Sequence, residues 1–381
     1  MRIAHVVTYV SQDGAFGGPV AVAIAQATEL ARRGHEVQLL AGWDGKAELT
    51  APGVDVRLFP VSALPVGGFS GLRSPALGRH LIDRRDGLDI AHVHLARDLI
   101  TLPLAAGLGR AGLPYLVQPH GMVMPDARAK ARVFDALWTR RVLGGAAAAL
   151  ALTERESGGL GEVNAGARVQ RIANGIAGGA VADAAPRDPE HPEVVFLARL
   201  HPRKRVMAFA RMAQLLAERG SPARFTVIGP DEGELAELRA FLDAHPDLPL
   251  SYAGAIPQGA ARGRLAEASV YVLPSFGEVF PMTVLEALSA GTPTVLTTDC
   301  GIADELAGRG AGVVTDGSPE RLAEAVEGLL ASPGAWAGAS ARGMASINEV
   351  YGIGAVADRL EELYATATRR PPRVDSAEMG R

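Results

Sequence analysis

Cysteine is almost missing from this chain of 381 residues, Cys300 being the only one. No disulfide can form within the chain and no cysteine metal cluster can be built, which fits a reducing compartment. Long apolar runs are missing too. The nearest, Gly144 to Leu152, is Ala-rich and far short of the roughly 18 residues that a membrane span needs. The start, Met1-Arg2 leading into Ile3-Ala4-His5-Val6-Val7, is too short and then too polar for the apolar core of a signal peptide. Neither sign of charge dominates: the formal net charge of -4 argues against a dedicated nucleic-acid binder, though it leaves local basic patches open. No Asp-x-Asp occurs, and no G-x-G-x-x-G follows a strand, so an NAD-dependent dehydrogenase is excluded. What remains is the expectation of a cytoplasmic α/β protein.

Apolar residues make up 48% of the chain and charged residues 21%, a globular balance, and the length suits two domains of ordinary size. Short apolar runs alternate with amphipathic stretches. In the first half strands are predicted at 3–9, 36–41, 54–58, 89–93, 114–118, 148–152 and 169–172, with helices at 19–33, 74–86, 99–110 and 126–143. The second half repeats this grammar. Its strands fall at 194–198, 224–228, 249–253, 269–273, 293–297 and 311–314, and its helices at 204–219, 231–243, 259–267, 281–290 and 319–331. Alternation of this kind implies βαβ units and parallel sheets. Residues 174–192 carry Asn-Gly, Gly-Gly and three prolines without apolar periodicity, and read as a linker. Two more helices are expected at 335–347 and 353–365, then a polar, Arg/Pro-rich disordered tail from Thr366. The domain reading is therefore 1–177, a linker at 178–192, 193–349, and a tail at 366–381. Open parallel sheets bind ligands beyond the carboxyl ends of their strands, so two facing sheets would share one cleft.

Three segments after strands carry chemistry. Gly14-Ala15-Phe16-Gly17-Gly18-Pro19 precedes a helix whose N-terminus favours an anion, although an ordinary turn reads the same way. Arg199-Leu200-His201-Pro202-Arg203-Lys204-Arg205 crowds cations at the expected start of a helix, where the dipole disfavours them. A bound diphosphate would resolve that conflict, with an Arg fork and a Lys point charge; a solvated basic face is the alternative. The third runs Pro274-Ser275-Phe276-Gly277-Glu278-Val279-Phe280-Pro281-Met282-Thr283-Val284-Leu285-Glu286-Ala287-Leu288. Pro281 marks a helix start, which leaves Glu278 in the loop and Glu286 on a largely buried element. A buried carboxylate is costly without partners, and ribose hydroxyls would satisfy it, as would local backbone amides.

Glu278 and Glu286 form E-x7-E, and here the chain resembles the retaining GT-B glycosyltransferases, most closely glycosyltransferase family 4. The resemblance extends over nearly the whole chain: the Gly17-Gly18 loop, Pro119-His120-Gly121, Asn174-Gly175-Ile176, Arg199 with Lys204, Ile228-Gly229-Pro230, and Pro274 to Val295. It implies an α/β fold of two Rossmann-like parallel-sheet domains facing across a cleft. It also implies an N-terminal acceptor domain joined by the C-terminal helix at about 350–365, and a C-terminal nucleotide-sugar donor domain. On this resemblance Arg199 and Lys204 hold the donor diphosphate near the Gly17 and Gly18 amides. Glu286 binds the ribose, Glu278 the transferred sugar, and Ile256 lines the base pocket. Phe280, Met282 and Thr283 complete the donor set, and His120 hydrogen-bonds a sugar hydroxyl. The catalytic set is His120, Glu278, Arg199 and Lys204, with no covalent nucleophile, no metal and no cofactor beyond the donor substrate. Val279-Phe280-Pro281 stands where Gly-Phe-Gly is usual, and the Ile228-Gly229-Pro230-Asp231-Glu232 loop lacks a customary glycine; both bear on sugar identity more than on reaction class.

His92 and His94 share one face of a strand, but no third ligand is evident for a metal. Arg128, Lys130, Arg132, Arg140 and Arg141 accompany Val133, Phe134, Leu137 and Trp138 in one amphipathic stretch. It reads as a buried stripe with a solvated basic face, or as a peripheral contact with an anionic inner membrane face. The acceptor is a small molecule, a glycan or a lipid-linked sugar, with no nucleic-acid partner. The competing functions are a GT-B-type sugar-nucleotide epimerase and a catalytically silent nucleotide-sugar binder.

Overall fold

β-branched and aliphatic runs buried on both faces are what a parallel sheet covered by helices requires, and the strands form where those runs lie. A computed structural model describes residues 1–11, 17–64, 68–177, 190–257 and 259–369. The chain divides into Met1–Gly175 with Val356–Arg381, called unit 1, and Ile176–Ala355, called unit 2.

Unit 1 contains β1 (Arg2–Val10), β2 (Glu36–Trp43), β3 (Asp55–Pro60), a small hairpin of β4 (Ser62–Ala63) and β5 (Leu72–Arg73), then β6 (Ile90–His94), β7 (Tyr115–Gln118), β8 (Ala148–Ala151) and β9 (Val169–Arg171). The seven long strands run parallel in the order β3-β2-β1-β6-β7-β8-β9. Strand alternation splits their side chains between two layers. Ala4, Val6, Ala91, Val93, Tyr115 and Val117 enter one core with Leu102, Leu108, Val142 and Leu143. Val7, Leu39 and Ala41 face the other way, against Val20 and Ala23 of the helix Gly17–Arg32. The intervening positions on that second face, His5 and His92, are fully buried in register with each other. The helix Ile353–Thr368 buries Val356, Ala357, Leu360 and Tyr364. Its Asp358 and Glu361 pair with Arg33 at 2.5 and 2.9 Å.

Unit 2 contains β10 (Glu193–Leu197), β11 (Arg224–Ile228), β12 (Leu250–Tyr252), β13 (Val270–Leu273), β14 (Thr294–Thr297) and β15 (Gly312–Thr315), all parallel, in the order β12-β11-β10-β13-β14-β15. Each order reverses once, between β1 and β6 and between β10 and β13. Those switch points are where such sheets open a crevice for ligands.

Several expectations need correction. The helix expected from 204 begins at Val206, because Pro202–Lys204 form a 3-10 turn capped by the His201 ring and Arg205 is left-handed (φ 55°). The helix expected at 126–143 runs from Ala129 to Gly145 through a π turn at Asp135–Thr139. That expected at 231–243 is Leu235–Ala244. Helices Glu154–Val163 and Ala303–Gly308 were not expected at all: the first is Gly-rich and the second short, so neither shows a clear apolar period. The last helix continues to Thr368, past the expected start of the tail. Gly14 to Phe16, most of the linker and the end of the tail lie outside the described residues.

Candidate functional site

At the switch point of unit 2, the segments after β10 and β13 meet. Tyr271, fully buried on β13, donates to the Leu197 carbonyl at the end of β10 (3.1 Å), and its hydroxyl lies 2.8 Å from Thr283 Oγ1. It thereby ties both strands to the helix Met282–Ser289. Burial pushes its phenol pKa up, and Glu278, Glu286 and Cys300 all lie close enough to add to that shift.

The cations that looked out of place find anionic and carbonyl partners here. The Lys204 ammonium forms an ion pair with the Glu278 carboxylate, both largely buried. Arg199 pairs with Glu232 at 2.7 Å and stays more exposed. The Arg203 guanidinium donates to the Gly277 carbonyl, while the Phe276 amide donates to the Arg203 carbonyl (3.0 Å). Asp299 accepts from the Gly277 amide, and the Gly301 amide donates to the Glu278 carbonyl (2.7 Å). The loop bearing Glu278 is therefore fixed from two sides. Gly277 supplies the left-handed φ of 62° that its turn demands. Cys300, beside Glu278 and Lys204, is a buried thiol pushed up to about 12, which makes it inert.

Glu286 differs from every other carboxylate near it. It is half-buried on the helix Met282–Ser289, burial pushes its carboxyl above the ordinary value, and its side chain accepts no hydrogen bond among the described residues. The contrast is Glu193 in the same unit, more deeply buried but paired with Arg264 (2.6 Å) and Thr226 (2.5 Å). Met282 and Thr283 are half-buried beside Glu286, and Ile256 is half-buried after β12. The Phe280 side chain is buried, with its ring against Tyr351 (ring centroids 6.1 Å). Gly229 explains the glycine of its loop, since a Cβ there would lie 1.8 Å from the Ala198 carbonyl oxygen.

Unit 1 holds the remaining expected residues. Gly17 and Gly18 begin the helix that follows β1, at that unit's switch point. His120, two residues past β7, is half-buried in a left-handed conformation (φ 54°) followed by left-handed Gly121 (φ 77°). Left-handed histidine is uncommon, and the surroundings hold it. Glu156, buried in the unexpected helix, accepts from the Gly121 amide with Oε1 and from the Leu152 amide with Oε2 (2.8 Å). Sequence reading missed this brace because the helix itself had no visible period.

Sequence reading also missed His5. It joins His92 and His94, and ring nitrogens of the three lie within 4.8 Å of one another. The set continues outward: His5 Nδ1 is 3.2 Å from His94 Nε2, and His94 Nδ1 is 2.8 Å from His120 Nε2. Tyr364 reaches in from the last helix, with its hydroxyl 2.7 Å from His92 Nδ1 and 3.4 Å from His5 Nε2. Burial lowers His5 to about 3 and His120 to about 4, and holds His92 and His94 well below the ordinary imidazole value. All four rings are neutral at pH 7. The signal available was the strand register, which needs the sheet order before it can be used.

Near His120, a cavity of about 440 Å³ in unit 1 is lined by Phe69, Arg97, Gly121, Met122, Met124 and Phe134 among others. Arg97 shapes it, pairing with Asp135 (2.8 and 3.0 Å) and donating to the Met124 carbonyl (2.8 Å). On the adjoining helix Phe134 is buried and Trp138 packs on the core, while Val133 and Leu137 are exposed. Arg132, Arg140 and Arg141 are exposed on the same helix. No helix among the described residues is long and apolar enough to cross a membrane.

A D-inositol 3-phosphate glycosyltransferase of Streptosporangium roseum is 29% identical over 184 residues, 46% of this chain and 42% of that protein. A GDP-mannose-dependent alpha-(1-6)-phosphatidylinositol dimannoside mannosyltransferase of Mycobacterium tuberculosis is 33% identical over 120 residues, 31% of this chain and 30% of its own. The chain thus spans less than half the length of these curated relatives. Among solved structures, Anabaena Alr3699/HepE in complex with UDP and glucose gives a TM-score of 0.69 at 16% identity, over 96% of this chain and 99% of that one. WaaG, a glycosyltransferase involved in lipopolysaccharide biosynthesis, gives 0.64 at 15% over 97% and 100%. The fold is the α/β GT-B architecture with two Rossmann-like domains. Residues 17–175 match the model described as a glycosyl transferase 4-like domain and residues 191–332 the model described as glycosyl transferases group 1, and the chain belongs to that family.

Proposed function

We propose that the protein transfers a glycosyl group, with retention and without a metal ion, from a nucleoside diphosphate sugar to an acceptor hydroxyl. The observation that carries this reading is the pairing of Lys204 with Glu278, together with a Glu286 carboxylate that accepts no hydrogen bond among the described residues, at the switch point of unit 2. Glu286 needs hydroxyl donors, and a ribose diol offers two. Lys204 and Arg199 are already balanced by Glu278 and Glu232, so a diphosphate would join charged networks rather than meet bare cations.

In the proposed step the bond between the anomeric carbon and the β-phosphate oxygen breaks, and the acceptor oxygen bonds to that carbon on the same face. The acceptor proton passes to the departing phosphate oxygen. Lys204 and Arg199 stabilise the charge that grows on the diphosphate, the contribution a metal makes elsewhere. Glu278, held by Lys204, orients the sugar. His120 hydrogen-bonds a sugar hydroxyl, and the Gly17 and Gly18 amides lie by the diphosphate. The nearby cavity of unit 1 suits the acceptor, whether small molecule, glycan or lipid-linked, and exposed Val133 and Leu137 among cations suit peripheral contact with an anionic lipid surface.

The test is calorimetric binding of UDP, GDP, ADP and dTDP, without metal and then with Mg²⁺. One nucleotide is expected to bind selectively without metal, and Lys204→Ala or Glu286→Ala to abolish that binding. Full affinity in both variants would overturn the site assignment.

A further inference from the structure

The buried histidines of unit 1 have a spacing that invites a metal, but not the orientation. The His92 and His94 rings are stacked within 4° of parallel with centroids 4.7 Å apart. Imidazole lone pairs lie in the ring plane, so two parallel rings cannot both aim at one ion. Both His94 nitrogens are also occupied, by His5 and His120. The arrangement is a chain of hydrogen bonds rather than a chelate.

We propose that this chain, running Tyr364–His5–His94–His120, fixes the tautomer of His120, and that His94, His5 and Tyr364 are positioning residues for it. A neutral imidazole has one N–H and one lone pair, so when both nitrogens are bonded one must donate and the other accept. Each link therefore dictates the next. Asn174 lies against the His120 ring, and its Oδ1 accepts from the Gln118 amide nitrogen (3.5 Å), which makes that oxygen the acceptor on this side. With the His120 proton on Nδ1 toward it, Nε2 accepts from His94 Nδ1–H. His94 Nε2 then accepts from His5 Nδ1–H, His5 Nε2 from the Tyr364 hydroxyl, and Tyr364 oxygen from His92 Nδ1–H.

The backbone contributes as well: left-handed His120 and the Glu156 brace on Gly121 fix where the ring stands, and the chain fixes which nitrogen carries hydrogen. His120 then presents one defined hydrogen-bonding pattern, in keeping with its orienting role in the transfer reaction proposed above, on which the catalytic part of this inference rests.

The experiment is ¹⁵N imidazole NMR of the ligand-free, histidine-labelled full chain, with transfer kinetics alongside. In the wild type, a coupling across the hydrogen bond between His94 and His120, with the proton on His94 Nδ1, is expected. Its absence, or the proton on His120 Nε2, overturns the assignment without any variant. His94→Phe is expected to convert His120 to a tautomer mixture, and to lower kcat on the order of tenfold to a hundredfold with donor KM unchanged. His94→Asn, whose amide nitrogen replaces Nδ1–H, is expected to restore both. A His120 tautomer unmoved by His94→Phe overturns the chain, and a moved tautomer with unchanged kcat overturns its positioning role. Absence of transfer by the wild type with every donor would overturn the function instead and leave the tautomer result standing.

Discussion

The two switch points occupy equivalent places in two similar sheets, yet they are built on opposite electrostatics. In unit 1 the groups beside the crevice are neutral imidazoles, buried and bonded to one another. In unit 2 they are formal charges: Lys204 is balanced by Glu278 and Arg199 by Glu232, Arg203 and Asp299 bond backbone groups, and Glu286 accepts no hydrogen bond among the described residues. A sheet interior tolerates the first arrangement because a neutral hydrogen-bond chain is self-satisfying. The second survives only near the strand ends, where loops can bring compensating charge. If the proposed transfer holds, the difference would separate two tasks, a polyanion taken up by unit 2 and hydroxyl-bearing groups held by unit 1 without a change of charge.

The largest expected effect breaks this comparison by pH. The folded-state values of the four histidines lie below the ordinary 6.5, at about 3 for His5 and about 4 for His120. As pH falls through 6.5 the unfolded chain takes up protons that the folded chain refuses, so stability is present above that pH and lost below it. At pH 5.5 His5 and His120 should each cost on the order of 1 kcal/mol, with His92 and His94 adding to the loss in the same direction. Glu286 works with the opposite sign: its raised value favours the folded chain below about 4.5, and that advantage disappears as pH rises. Urea midpoints at pH 7.5 and 5.5 should therefore fall steeply, and His5→Gln should remove about one proton from the slope. A flat profile would mean that the imidazoles are not held neutral.

The next effect sharpens the charged half. Lys204→Met keeps the stem, removes the cation and leaves Glu278 largely buried and unpaired, a loss of about 1–3 kcal/mol of stability. Adding Glu278→Gln should recover most of it, since the two side chains share one interaction. Transfer should behave otherwise. Lys204→Met should lower kcat on the order of a hundredfold to a thousandfold, as for loss of a charge-stabilising donor, and the double variant should not recover. If activity followed stability through the cycle, the pair would be structural and the diphosphate role of Lys204 would be lost.

Much of this was legible before the fold was known, and the reason is local. The cations at 199–205 conflict with the helix start they precede, and Glu286 conflicts with its apolar neighbours, whereas His120 stands out only through the family resemblance of Pro119-His120-Gly121. What stayed hidden depends on partners far along the chain. Lys204 and Glu278 are 74 residues apart, and nothing in either segment names the other. His5 looked like one polar residue in an apolar strand until β1 lay beside β6 in register. Glu156 was invisible because Ser157-Gly158-Gly159 obscures the helix that presents it.

Tyr271 gives the smallest effect and the finest discrimination. Its hydroxyl joins the Leu197 carbonyl to Thr283, and thus β10 to the helix that carries Glu286. Tyr271→Phe keeps the ring in its buried place and leaves the Leu197 carbonyl short of one donor. The expected cost is about 1 kcal/mol, or roughly 2–4 °C in Tm. Because Thr283 sits one turn before Glu286 on the same helix, the nucleotide Kd should rise by no more than about threefold through a slight shift of that carboxylate, an effect within about 0.7 kcal/mol. A hundredfold weakening with unchanged Tm would instead place the Tyr271 hydroxyl in direct contact with the donor, and Glu286 would no longer be the principal ribose ligand.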